Sequence, residues 1–187
     1  MRDDGFEYYE MILVYVADIL CLSEHPDTIM DLIGKFYLIK DGDTGPPKIY
    51  IGANIGQVQT PTGKEVWAMS AEYYCVQDVK NVETMLQEDG YDGLDWTIRQ
   101  YTASTNPNYT PELDVSKDLN SELATQYMQL IGVLRRAIEL GRIDIHTEVA
   151  ILSQYSALPR EGYLDALYGI FAYMRKKLKS CIAFGPD

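Results

Sequence analysis

Three observations predict an α+β chain. Apolar strand formers flank short turns twice in the first half, stripes at helical spacing follow each of these hairpins, and helical stripes dominate beyond a polar, turn-rich stretch at 91–119. The expected architecture is antiparallel hairpins with helices over 1–90, a linker or loop over 91–119, and a helical region over 120–187. With 187 residues the chain can bury a core without a disulfide or metal staple.

Each element has its own signal. "YYEMILVYV", Tyr8 to Val16, is dense in Tyr, Ile, Leu and Val and is expected as a buried strand. A two-residue turn at Ala17 and Asp18 would return the chain along Ile19 to Leu22. Pro26 opens a helix that carries Ile29, Leu32, Ile33 and Phe36 on one face. The breakers of "DGDTGPPK" end it, and "KIYIGANIGQVQT", the turn "PTGK" and "EVWAMS" form a second hairpin. Ser70 is placed to cap a helix with Cys75, Val79, Val82 and Leu86 on one face, which Gly90 would terminate. Three further stripes follow: Tyr127, Leu130, Ile131, Leu134 and Ile138; Ile145, Val149 and Leu152; then Leu164, Leu167, Phe171 and Met174. Gly141 and Pro159 punctuate them, and "SCIAFGP" is expected as a final strand.

Composition narrows the function classes. Sixteen Lys and Arg against 28 Asp and Glu give a net charge of −12, which opposes non-specific attraction to a polyanion. The basic residues concentrate at Arg135, Arg136 and Arg142 and at Arg175, Lys176, Lys177 and Lys179. These suit solvated helix faces and helix C-termini, or phosphate contacts. Cys21, Cys75 and Cys181 are odd in number and far apart, without a CxxC pair, so a reducing, intracellular compartment, cytoplasmic or nuclear, is expected. The run Met11 to Leu22 is too short to span a bilayer and is broken by Asp18, and "MRDDGFEYYE" has no secretory apolar core. No membrane partner is expected. His25 and His146 lack metal-ligand spacing.

Asp18 alone is an ordinary turn aspartate. Its setting within an ordered series of motifs gives it a second reading. "DGFEYYEMILVYVADIL", "GPPKIYIGANIG", "WAMSAEYY" and "YMQLIGVLRRAIELGRIDIHTEVAILSQYSALPREGYLDALYGIFAYMRK", taken in order, resemble the reverse transcriptase of copia-type LTR retrotransposons over nearly the whole chain. The family's hallmark is Tyr-x-Asp-Asp followed by Ile-Leu. The likeness here lies in Tyr15, Val16, Asp18, Ile19 and Leu20, with Ala17 standing where the first aspartate is expected.

The resemblance implies a partial polymerase palm over 1–90, a loop over 91–119 and a thumb or connection region over 120–187, within a Pol polyprotein that would continue into an RNase H module. It also implies an RNA-directed DNA polymerase using Mg²⁺ on a primer-template. Asp18 would be the remnant of the catalytic, metal-binding pair, with Tyr15 near the primer-template backbone. Tyr50, Ile51 and Gly52 would support the primer strand, and Arg135 and Arg136 would contact phosphates. A methyl group at Ala17 cannot coordinate a cation, and the palm segment carrying the family's upstream aspartate is expected to be missing. An inactive polymerase is therefore expected. The alternative is a non-enzymatic nucleic-acid-binding or protein-assembly module derived from a retroelement, bound to remaining parts of the polyprotein.

Overall fold

A computed structural model describes residues 10–16, 18–39, 44–88 and 109–185. It is α+β, with five α-helices and two groups of antiparallel strands among the described residues. The chain divides into two compact units, 1–51 and 52–187, so residues 52–88 share a unit with the helical region.

In the first unit, β1 (Met11–Tyr15) and β2 (Asp18–Leu22) form an antiparallel hairpin in which Tyr15 faces Asp18 and Leu13 faces Leu20. Two expectations are corrected here. The turn falls one residue earlier, with Asp18 already in the strand and Val16 in the left-handed region at φ 52°. Ala17 lies outside the described residues. β1 is also not buried: all five of its residues are exposed, and Val16 is 91% exposed. Strand-forming side chains specify the backbone but cannot supply the second layer that would cover them. α1 (Pro26–Gly34) starts at its proline and ends before Phe36, which is exposed instead of extending the helical stripe. The short strand β3 (Ile49–Tyr50) follows.

The second unit opens at Gly52. Ile51 and Gly52 both have positive φ, 52° and 86°, and interrupt what the sequence presents as one strand. β4 (Ala53–Gln59) and β5 (Glu65–Ser70) form the expected hairpin around Gly63, whose φ of 82° lets its amide reach the Thr60 carbonyl at 2.8 Å. β6 (Cys181–Phe184) pairs with the outer edge of β5, Trp67 against Phe184. α2 (Glu72–Glu88) begins where Ser70 Oγ accepts from Glu72 N–H and Asn54 Oδ1 accepts from Tyr73 N–H. Its expected stop at Gly90 lies outside the described residues.

α3 (Ser121–Glu139), α4 (His146–Ser153) and α5 (Glu161–Lys176) supply most of the core around Tyr127, Leu134, Val149, Leu167 and Phe171. Asn120 caps α3 by accepting from Leu123 N–H. The helix closes at Gly141, φ 116°, with Gly141 N–H bonded to Ile138 O and Arg142 N–H to Ala137 O, the paired bonds of a Schellman stop.

Part of the expected linker is held against α5. Residues 91–108 lie outside the described residues, but 109–119 packs on the start of α5. Arg160 binds the Asp114 carbonyl and the Asp118 carboxylate, Leu119 N–H bonds to Pro159 O, and Ser116 Oγ accepts from Gly162 N–H. A side chain at Gly162 would meet Asp114: a Cβ there would overlap Asp114 Oδ2. That carboxylate is fixed at 2.7 Å by both the Tyr109 hydroxyl and Ser116 N–H. Gly162→Ala should therefore lower stability by about 1–3 kcal/mol despite alanine's better helix propensity. A urea midpoint equal to or above wild type would contradict the clash.

Candidate catalytic hairpin and nucleic-acid interface

Alternation along the β1–β2 hairpin places Asp18, Tyr15, Leu13 and Leu20 on one face, with Ile12, Val14, Ile19 and Cys21 on the other. Asp18 starts its strand beside an aromatic side chain. Polymerase chemistry needs several carboxylates around metals about 3.5–4 Å apart. Among the described residues no group of three or more His, Cys, Asp or Glu is placed to hold a metal ion.

The nucleic-acid residues expected from the sequence divide between the units. Tyr15, Tyr50 and Ile51 belong to 1–51; Gly52, Arg135 and Arg136 belong to 52–187. Within the second unit Gly52 lies against α3: the position of a Cβ on Gly52 is 3.8 Å from Arg136 Nη2 and 3.9 Å from Leu140 Cδ2. Arg136 is ion-paired with Glu139 at 3.0 Å, one helical turn on. Both groups also act on Tyr74: burial raises its hydroxyl pKa, Asp78 and Glu139 add to the rise, and Arg136 opposes it. Arg135 is exposed on the same helix. Gly52 and Arg136 thus share one place, whose positive charge is balanced locally by acids.

Arg142 departs furthest from expectation. It is fully buried, so it is neither a solvated helix charge nor a phosphate contact. Its Nε and Nη2 each donate at 2.9 Å to the two oxygens of Asp144, and Nη1 reaches Cys75 Sγ at 3.6 Å. Its guanidinium lies over the Tyr173 ring, and the Tyr173 hydroxyl also bonds Asp144. Burial alone would raise the Asp144 pKa, but the bonds from Arg142 outweigh it and hold the carboxyl below its ordinary range. Burial pushes the Cys75 thiol up despite the facing Arg142. The available signal was Gly141-Arg142-Ile143-Asp144, a helix stop that directs the chain inward followed by an acid two residues on.

The other overlooked group is Asp78, 8% exposed on the buried face of α2, with Oδ2 lacking any hydrogen-bond partner. Burial raises its pKa to about 6. Arg175 is ion-paired with Glu83 at 2.7 Å. Of the tyrosines, Tyr127, Tyr163 and Tyr168 are core residues, and the Tyr127 hydroxyl donates to Leu152 O at 2.7 Å. Among the described residues no helix is long and apolar enough to cross a membrane. No family model, curated protein or solved structure matches this chain.

Proposed function

We propose that this chain is part of a copia-type reverse transcriptase in which the polymerase centre no longer works. The observation that carries the reading is the ordered series in the sequence: Tyr15-Val16-Ala17-Asp18-Ile19-Leu20, then Tyr50-Ile51-Gly52, then the Tyr127 to Leu134 segment. The antiparallel hairpin that sets Tyr15 opposite Asp18 supports the first motif. On this reading 1–90 is palm, 120–187 is thumb or connection, and the natural partner is an RNA–DNA primer-template together with other parts of the polyprotein.

Inactivity follows from Ala17. A methyl group stands where a metal-binding carboxylate is required, and the loss of a direct ligand costs orders of magnitude in rate. Primer extension with Mg²⁺ or Mn²⁺ should give no template-dependent incorporation above a heat-killed control. Incorporation above that control would overturn the assignment of a dead site. A second reading, a non-enzymatic assembly or nucleic-acid-binding module, is favoured by the exposed apolar hairpin. Filter binding of the same primer-template over a salt series separates its two forms, since retention that falls with salt supports phosphate contacts.

A further inference from the structure

The buried face of α2 carries a carboxylate that no cation offsets. Cys75, Val79, Val82 and Leu86 make its apolar stripe, and Asp78 stands among them, one turn after the fully buried Cys75. Among the described residues no group bonds Asp78 Oδ2, and burial is the one influence on its carboxyl. α2 packs against β4, α3 and α5, and the charges of these elements are engaged elsewhere. On α3, Arg136 pairs with Glu139, and both reach α2 at the Tyr74 hydroxyl. Just past α3, Arg142 holds Asp144 and meets α2 at Cys75. On α5, Arg175 pairs with Glu83, beyond the stripe, and the Tyr173 hydroxyl bonds Asp144. β4 contributes no titratable side chain.

We propose that α2 is an acid-closed cover: ionisation of Asp78 draws water beneath the helix, so that α2 lifts locally from the rest of the second unit and the Cys75 thiol becomes reachable. An ionised carboxylate under apolar packing must gain either a cation or water. With the neighbouring cations bound to other acids, water is the partner at hand.

α2 is held less firmly than α3. Its stripe is Cys, Val, Val and Leu, whereas α3 and α5 place Tyr127, Leu134, Phe171 and Met174 in the core. Its first amides bond Ser70 and Asn54 at 3.3 and 3.2 Å, while α3 has a 2.9 Å cap bond at Asn120 and a glycine stop. No basic residue lies in the last turn of α2 to offset the helix dipole. A weakly anchored element opens at lower free energy than the whole unit. The direction with pH follows from the carboxyl, which titrates at about 6 when covered and about 3.9 when solvated: acid closes the cover and neutral pH opens it.

Hydrogen exchange of the full chain, expressed as protection factors, removes the intrinsic pH dependence of exchange. At pH 8 the Val79 and Val82 amides should be less protected than those of Leu130 and Leu134, and low urea should accelerate the second pair but not the first. Between pH 8 and pH 5 protection of α2 should rise about tenfold in wild type and stay nearly constant in Asp78→Asn. Alkylation of Cys75 by iodoacetamide at pH 8, with Cys21 and Cys181 replaced by serine, should slow on the order of 10- to 100-fold when Asp78→Asn is added. One common protection factor for α2 and α3 would mean that the unit opens only as a whole and would overturn the cover. So would wild-type protection of α2 that is unchanged between pH 5 and pH 8, a result independent of any variant. Equal alkylation of Cys75 with and without Asp78→Asn would overturn it as well.

Discussion

Arg142→Met should destabilise the second unit by about 3 kcal/mol, read as a lower urea midpoint with an unchanged slope. The methionine fills most of the stem volume but leaves Asp144 without its two 2.9 Å donors in a site where water reaches it only partly. Uncompensated buried charge, more than the lost attraction, sets the size of the effect. Arg142→Met combined with Asp144→Leu should therefore recover most of the loss. A double variant no more stable than Arg142→Met alone would show that the packing on Cys75 and Tyr173 matters more than the ion pair. The pH dependence has a definite sign: Asp144 is held below its ordinary pKa in the fold, so its stabilisation is present above about pH 4 and is lost as pH falls through the folded value.

Asp78→Asn should act in the opposite sense, raising stability by about 1–3 kcal/mol at pH 8. The folded carboxyl titrates at about 6, and the unfolded one at about 3.9. The folded state thus holds the proton more tightly, and wild-type stability falls as pH rises between those values. At pH 4 most of the gain should be gone, and well below that, where the carboxyl is neutral in both states, it should vanish. Urea midpoints of both proteins at pH 4 and pH 8 are the measurement. A constant difference between the two pH values would show that Asp78 is solvated when ionised, contrary to its orphaned Oδ2.

Periodicity made the helices readable because caps and stops agreed with the stripes. Asn120, Gly141 and the row from Tyr127 to Leu134 all specify α3, and Ser70 with Cys75 to Leu86 specifies α2. Exposure was less readable. An apolar pattern reports what side chains favour, not whether a second layer arrives, and Met11 to Tyr15 is exposed among the described residues. The turns misled where they broke turn chemistry: β-branched Val16 and Ile51 occupy left-handed conformations that the sequence assigns elsewhere. Charge misled at Arg142, since a lone arginine is ordinarily solvated and its partner Asp144 is visible only once the Gly141 stop is placed. Of the candidate site, the hairpin carrying Tyr15 and Asp18 could be read locally. The meeting of Gly52 with Arg136 could not, because it joins a loop to a helix far along the chain.

The position of β6 has a consequence for biosynthesis. Trp67 and Phe184 come from opposite ends of the second unit, with α2, α3, α4 and α5 made between them. During translation the outer edge of β5 therefore has no native strand beside it until β6, made after α5, has itself left the ribosome. A nascent chain stalled before Cys181 would display an open strand edge over a nearly finished helical core, the arrangement most prone to mispairing with another chain.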